Sequence, residues 1–454
     1  MTTPRRTRPV PSEAAGSIGT VLPLPDVESL DLESLDLESL VPNAAPATPS
    51  ISSRAFWAQP ASVRSSTFAD LRRTAPVSYQ DPSDFSLAPQ KHGFWAVTRH
   101  VDVQYVSRHS DIFCSARGVG LGDVPVELLE LNASFLVMDP PRHTDMRRIV
   151  SSAFTPRRVA QLNDDIVAEA HRIVDAFVER GGGDVVEDLA MKLPLWTISR
   201  MMGVPESMRA ELYRAAEGQI AAQDPEFVTE GKDSATVAIE SAMTLHHLVA
   251  ELVAARRAQP GDDILSTLVD SKIDGEPLSD QILGGIFVLF ATAANDTTRT
   301  STSHGVRLFA AYPGEWERLR ADPSLLPSAV EEIVRYATPV IHFRRTATRD
   351  TELAGVAITQ GDAVVMFYES ANQDETVFDA PERFDIARDP NPHVAFGGGG
   401  SHFCLGASLA RAQLRALFAR LAERVATIQA SEPEYLRSNF VHGIKRMPVA
   451  VTAR

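Results

Sequence analysis

The spacing of apolar residues through the middle of the chain predicts a mainly helical protein. Apolar positions recur there every three or four residues, the period of one helix face. Gly and Pro residues separate the periodic segments, as expected at helix ends. The predicted helices are Arg142–Phe154, Pro156–Glu179, Pro205–Gln223, Asp233–Arg257, Ser279–Tyr312 and Pro327–Tyr336.

Strand-like runs are few and short. Phe94–Thr98, Glu352–Ile358 and Ala363–Tyr368 are apolar or β-branched and are flanked by turn residues. No long-period repeat indicates a solenoid. The predicted fold class is therefore mainly α (α+β), a helix-rich body with small peripheral β-sheets.

The first 52 residues differ from the rest of the chain. They are rich in Pro, Ser and Ala and contain the repeat Leu30–Ser34 followed by Leu35–Ser39. A period of five fits neither a helix face nor a strand face. We predict a disordered extension over residues 1–52 and one folded domain over residues 53–454, with an acidic partner-binding peptide as the alternative for the repeat.

Composition and charge narrow the class of protein. The chain has 454 residues, 44% of them hydrophobic and 23% charged, which is typical of a globular enzyme. A net charge of -15, without a basic stripe, predicts no nucleic-acid partner. No apolar run of about 18 residues and no signal-peptide pattern is evident. We expect a cytoplasmic monomer without a membrane anchor.

A glycine-rich loop around Cys404 carries the clearest chemical signal. The loop reads Phe396-Gly-Gly-Gly-Gly-Ser-His-Phe-Cys404-Leu-Gly406, and a helix is predicted to follow it. Glycines allow a backbone to pass close to a flat macrocycle, and the first amides of a helix stabilise a thiolate. These features suit a cysteine thiolate bound to haem iron.

Three other kinds of site could in principle contain such a loop. A single cysteine is commonly a small buried apolar residue. A phosphate-binding loop would need Gly-Lys-Ser/Thr after the glycines, which is missing. Zinc is disfavoured because Cys114 is the only other cysteine and no Cys-x-x-Cys spacing exists.

Polar residues interrupt the long predicted helix at Ala293–Thr298. Asp296 and Thr297 lie in a segment that is otherwise apolar, where unsatisfied polar side chains are costly. Thr297 is in reach of the carbonyl of Ala293, one turn earlier, and such a bond opens a helix locally. The alternative is an ordinary solvated polar stripe.

The order of these motifs, with Glu332-Ile-Val-Arg335 between them, resembles the bacterial cytochromes P-450, from about residue 54 onward. This haem-thiolate monooxygenase family implies a triangular, helix-rich domain carrying haem b, with Cys404 as the iron ligand. The resemblance implies that Thr297 hydrogen-bonds bound oxygen beside Ala293, and that Asp296 relays protons. It also implies a buried network of Glu332, Arg335 and Arg383.

The resemblance assigns further cofactor contacts. His143, Arg147, Arg345 and His402 match positions that bind the haem propionates. In the cysteine loop, Gly400 and Gly406 keep their places, but Phe396 stands eight residues before Cys404 instead of the usual seven. Ala294 replaces a common glycine.

The resemblance also implies a hydrophobic substrate and O₂ as co-substrate. Predicted substrate contacts come from the segments Gly118–Phe135 and Val340–Phe343, the latter including Val340 and Ile341, and from six further apolar residues: Phe287, Phe290, Ala291, Ala294, Phe440 and Val441. Subgroup motifs, including Asn295–Arg299, are similar to those of enzymes that hydroxylate steroids, branched lipids or terpenoids; tailoring of a secondary metabolite is the competing prediction.

Electrons are expected from NAD(P)H through a ferredoxin and its reductase, because the chain has no dinucleotide-binding Gly-x-Gly-x-x-Gly motif. Arg148, Arg411 and Arg415 are the predicted basic docking site for an acidic ferredoxin. Two other functions remain open at this point: a haem peroxygenase and a non-catalytic haem sensor or binding protein. Both have less need of Asp296 and Thr297.

Overall fold

A computed structural model describes residues 50–87, 90, 92–125, 129, 134–153, 156–228, 232–273 and 275–454, with the side chains of 152–161 left out. Residues 1–49, which we predict to be disordered and which contain the Leu-Asp-Leu-Glu-Ser repeat, lie outside the described residues. Ile51 is buried in an apolar cluster with Phe56 and Trp57. The folded body therefore includes at least Ile51, just before the predicted domain boundary.

Helices dominate the described part of the chain, as the apolar spacing predicts. The six helices predicted from apolar spacing are present to within two residues at either end, apart from Phe154, which lies outside the described residues. The helix predicted after Cys404, over Leu405–Arg420, runs from Ala407 to Arg424. The α-helices are Arg54–Trp57, Ala61–Thr74, His100–Arg108, Arg142–Ala153, Pro156–Glu179, Lys192–Met202, Glu206–Ala221, Ser234–Ala258, Ile264–Val269, Asp280–Ala311, Pro313–Ala321, Leu326–Ala337, Tyr368–Ala371 and Ala407–Arg424.

Side-chain caps explain where two of the longest helices begin. Asp233 accepts a hydrogen bond from the amide of Thr236, and Ser279 accepts one from the amide of Ile282. Such caps satisfy amides that lack a partner within the helix. They fix the start of Ser234–Ala258 and of Asp280–Ala311, which we call the long helix.

The strands form small sheets at the edge of the helical body. The largest has five strands in the order Val77–Gln80, Phe94–Val97, Ala363–Phe367, His342–Ala347 and Phe113–Cys114. The other strands are Gly182–Asp184, Lys272–Ile273, Glu276–Pro277, Thr351–Leu353, Val356–Ile358, Val425–Ala430, Glu434–Tyr435, Ile444–Arg446 and Pro448–Ala453. The single run predicted over Glu352–Ile358 is a hairpin, because the chain turns at Ala354 and Gly355 with positive φ angles of 51° and 82°.

The main apolar core surrounds the long helix, which packs against Ser234–Ala258, Glu206–Ala221 and Leu326–Ala337. By length and composition alone, Ser234–Ala258 is also apolar enough to cross a membrane. Its buried face, including Leu245, Val249 and Leu252, belongs to the main core. A core helix of a globular protein meets the same test.

Candidate active site

Cys404 borders an internal cavity lined by the long helix and the cysteine loop. Its side chain is exposed to that cavity although it lies deep in the protein. Burial raises the pKa of the Cys404 thiol, while the amides of Gly406 and Ala407 and the cations Arg147 and Arg411 act in the opposite direction. The predicted stabilisation of the sulfur by the amides at the start of the following helix is thus present.

The glycines before Cys404 serve mainly to pack the loop against the helix His100–Arg108. A Cβ on Gly400 (φ +78°) would lie 2.5 Å from the carbonyl oxygen of Ser107. The Ser107 hydroxyl donates to the carbonyl of Gly399 at 2.8 Å. Of the loop glycines, only Gly397 and Gly406 line the cavity, so the expectation of close approach to a macrocycle applies to those two.

The long helix supplies one wall of the same cavity through Phe290, Ala293, Ala294 and Thr297. The Thr297 hydroxyl donates to the carbonyl oxygen of Ala293 at 2.9 Å, which confirms the bond predicted from their spacing. The polar stripe is therefore not a solvated surface.

Asp296 does not line the cavity. It is buried and forms an ion pair with Arg299 at 2.8 Å, and Arg299 in turn contacts Glu217 at 3.0 Å. Burial raises the pKa of Asp296 to about 6, although the Arg299 cation opposes the shift. Sequence reasoning missed both partners; Arg299, three residues after Asp296, was detectable, but Glu217 is on another helix.

The four predicted propionate ligands come together from three separate segments. The rings of His143 and His402 are 4.1 Å apart. Burial, together with the charges of Arg345, His143 and Arg147, lowers the pKa of His402 to about 3. Burial, and then the charge of Arg147, also lowers the pKa of His143.

This group of cations and donors has no carboxylate paired with it among the described residues, although the charge of Asp139 acts on His143 and Arg345. Within the described residues, neither Arg147 nor Arg345 forms an ion pair with a carboxylate, and both ring nitrogens of His143 are buried without a hydrogen-bond partner. Buried polar groups in folded proteins normally have partners. Two carboxylates at the edge of a bound haem would fit this donor set and the adjacent Cys404.

The charged network differs in one member from the prediction. Glu332 and Arg335 are fully buried and form two hydrogen bonds, of 2.8 and 2.9 Å. Arg388, not Arg383, completes the network: its Nε lies 3.1 Å from Glu332 Oε1. The prediction that the Arg383 side chain belongs to the network was wrong, because that side chain is exposed. Arg383 takes part through its carbonyl oxygen, which accepts hydrogen bonds from Arg335 and Arg388.

Of the residues predicted to contact substrate, Phe135, Phe290, Ala294, Val340 and Phe343 line the cavity. Phe287, Ala291, Ile341 and Val441 are instead buried in apolar clusters and do not appear in its lining, because neighbouring positions on a helix or strand face different ways. Phe440 lines a second, outer cavity. The sequence analysis missed Leu136, Ile198, Leu289 and Tyr368, which also line the cavity. Part of Gly118–Phe135 lies outside the described residues.

The predicted docking arginines are not equivalent. Arg411 makes a two-bond ion pair with Glu331 and is partly buried. Arg148 is exposed and pairs with Asp145 at 3.2 Å, and Arg415 is exposed. Of the three predicted docking arginines, Arg148 and Arg415 are thus exposed, whereas the charge of Arg411 is already paired within the protein.

Comparisons with known proteins agree with this geometry. The family model "Cytochrome P450" matches residues 235–433. The chain is 40% identical over 404 residues to a methyl-branched lipid omega-hydroxylase of Mycobacterium tuberculosis, covering 88% of this chain and 94% of that protein. It is 39% identical over 396 residues to a steroid C26-monooxygenase of Mycolicibacterium smegmatis, covering 85% and 90%.

A solved structure is similar to this chain in fold as well as in sequence. The solved structure of Mycobacterium marinum cytochrome P450 CYP268A2 in complex with pseudoionone superposes with a TM-score of 0.86 at 48% identity, covering 90% of this chain and all of that one. The helix-rich architecture, the cavity beside Cys404 and these relatives together show that the chain belongs to the cytochrome P450 family of monooxygenases.

Proposed function

We propose that this P450 inserts one oxygen atom of O₂ into a C–H bond of a hydrophobic small molecule, with Cys404 as the iron ligand of haem b. The observation that carries the proposal is that one cavity brings together Cys404, the Thr297–Ala293 pair and an apolar lining. When bound, the haem supplies the oxidising chemistry, because a thiolate ligand favours O–O bond cleavage.

The protein's own residues then have distinct tasks. Arg147, Arg345, His402 and His143 would hold the two propionates. Thr297 holds its hydroxyl at the cavity wall, where it would be in reach of O₂ as co-substrate. Asp296, one residue away but buried beside Arg299, is the proton-holding group. Apolar side chains around the cavity exclude water from the reacting centre.

Substrate class follows from the lining and from the relatives. Phe135, Phe290, Phe343 and Leu289 provide broad apolar surfaces. Two relatives are named for action on methyl-branched lipids and steroids. We infer a steroid, a branched lipid, a terpenoid or a comparable secondary metabolite as the substrate of this chain.

The reduced, carbon monoxide-bound holoenzyme provides the most direct test. We expect the red-shifted Soret band of thiolate-ligated haem, and a change in iron spin state on adding hydrophobic compounds of the stated classes. A histidine-type band would contradict ligation by Cys404. Absence of any spin shift across branched lipids, steroids and terpenoids would contradict the proposed substrate class.

The electron donor belongs to the same proposal. We infer a cytoplasmic enzyme that takes electrons from an acidic ferredoxin and its reductase, with Arg148 and Arg415 in the docking site. Opposite charges on two partners speed their encounter, and salt screens this attraction. Raising the ionic strength should therefore slow reduction of the iron; a rate independent of salt would argue against the docking site.

We predict that Asp296→Asn lowers kcat on the order of 10²–10⁴-fold, the usual contribution of general acid–base catalysis. Wild-type turnover should also fall as the pH drops through about 6, because Asp296 then becomes protonated. The asparagine variant should lack that acidic limb while keeping the substrate-induced spin shift. Full turnover with an unchanged pH profile would show that Asp296 has no role in proton transfer.

A further inference from the structure

Four side chains from three segments form a cluster next to the cysteine loop: Glu331, His393, Phe396 and Arg411. Arg411, on the helix that follows Cys404, donates from Nε and Nη2 to the two carboxylate oxygens of Glu331, both at 2.7 Å. Its guanidinium carbon lies 4.3 Å from the centroid of the Phe396 ring. This arrangement combines a two-bond ion pair with a cation–π contact.

His393 is the fourth member of the cluster. Its Nδ1 accepts from the amide of Ala395 at 3.3 Å, so the proton is on Nε2, which donates to Glu331 at 3.1 Å. Burial would raise the pKa of Glu331, but hydrogen bonds from Arg411 and His393 hold it at about 2. Glu331 is therefore a permanent anion near neutral pH, and Arg411 is a permanent cation.

The cluster is connected to Cys404 through Phe396. The amide of Cys404 donates to the carbonyl oxygen of Phe396 at 2.9 Å, and the Phe396 side chain borders the cavity. The positive charge of Arg411 also acts electrostatically on the Cys404 sulfur. Arg411 thus contacts the loop on one side and is neutralised by Glu331 on the other.

We propose that Arg411 is a positioning residue that sets the electric field at the Cys404 sulfur, and hence the reduction potential of the iron, with Glu331 as its counter-charge. This inference rests on the proposed haem-thiolate function. It replaces the docking role expected of Arg411 and gives Phe396 a definite task, which is to hold the cation against the loop.

The proposal predicts opposite effects for the two charges. A cation near the thiolate draws electron density from the sulfur and favours the reduced state; local charge and hydrogen bonds to sulfur set such potentials. Removing the cation with Arg411→Gln should therefore lower the potential. Removing the anion with Glu331→Gln leaves Arg411 uncompensated and should raise it.

The test is an equilibrium redox titration of the haem-loaded, full-length protein without a redox partner, together with the carbon monoxide spectrum of each variant. Arg411→Lys keeps the charge and should stay closer to the wild type than Arg411→Gln. Arg420→Gln is a matched control, because Arg420 is on the same helix and makes a similar two-bond pair with Asp175, at 3.0 and 2.7 Å. It should leave the potential unchanged.

Several results would overturn the proposal. Shifts of both glutamine variants in the same direction, or equal loss of the thiolate band in both, would indicate mechanical support of the loop only. Unchanged potentials with weaker binding of ferredoxin to Arg411→Gln would restore the docking role. If the wild type itself lacked the thiolate band, the proposed function would fail before this inference was reached.

Discussion

Cys404→Ser is expected to abolish the thiolate-type carbon monoxide spectrum and all monooxygenase turnover. Serine is nearly the same size as cysteine, so it fits the space between Phe396 and the helix Ala407–Arg424. Its hydroxyl, however, stays protonated near neutral pH and cannot give iron the electron density that a thiolate provides. The measurement is the reduced carbon monoxide difference spectrum together with product formation from a bound substrate.

Cys114→Ser is the control for this prediction. Cys114 is the only other cysteine and lies on the strand Phe113–Cys114, and burial raises the pKa of its thiol. We expect this variant to keep the thiolate spectrum and the turnover of the wild type. Loss of the spectrum in Cys114→Ser with its retention in Cys404→Ser would reverse the assignment of the ligand.

Arg335→Ala is expected to destabilise the fold by about 3–5 kcal/mol, the cost of leaving one partner of a buried ion pair unpaired. Glu332 and Arg335 have no exposed side-chain surface. Arg335 also donates to the carbonyl oxygen of Asn372 at 2.8 Å, and the side chain of Asn372 accepts from the amide of Val394 at 2.8 Å, shortly before the cysteine loop. Denaturant unfolding and haem retention would measure the loss.

Arg388→Ala and Arg383→Ala separate the observed network from the one expected from sequence. Arg388 is about 10% exposed and bonds Glu332, so its removal should cost about 1.5–3 kcal/mol, the range for hydrogen bonds to charged groups. Arg383→Ala removes only an exposed side chain and should change the free energy of unfolding by about 0.5 kcal/mol or less. Equal losses in both variants would contradict the assignment of Arg388.

Features that depend on neighbouring residues were predictable from the sequence. The helix boundaries follow from apolar spacing, caps and Pro or Gly residues within a few positions. The bond from Thr297 to the carbonyl of Ala293 follows from a separation of one helical turn. Glu332 and Arg335 pair because they are three residues apart on one helix.

Features that join distant segments were less predictable. Arg383 and Arg388 are both arginines in the segment after Pro381, and only the path of that segment places Arg388 beside Glu332. Apolar residues such as Phe287 and Phe290 cannot be sorted into core and cavity lining by type, because both environments favour the same side chains. The partner of Arg299, Glu217, lies 82 residues away along the chain.

The sequence by itself determined the helix-rich architecture, the loop that presents Cys404 and the acid–alcohol pair at Asp296 and Thr297, since each depends on local periodicity or spacing. The tertiary structure alone decided which way each side chain faces: Thr297 toward the cavity, Asp296 toward Arg299, and Arg411 toward Glu331. The physical reason is that burial and charge pairing depend on segments that meet only when the chain has folded.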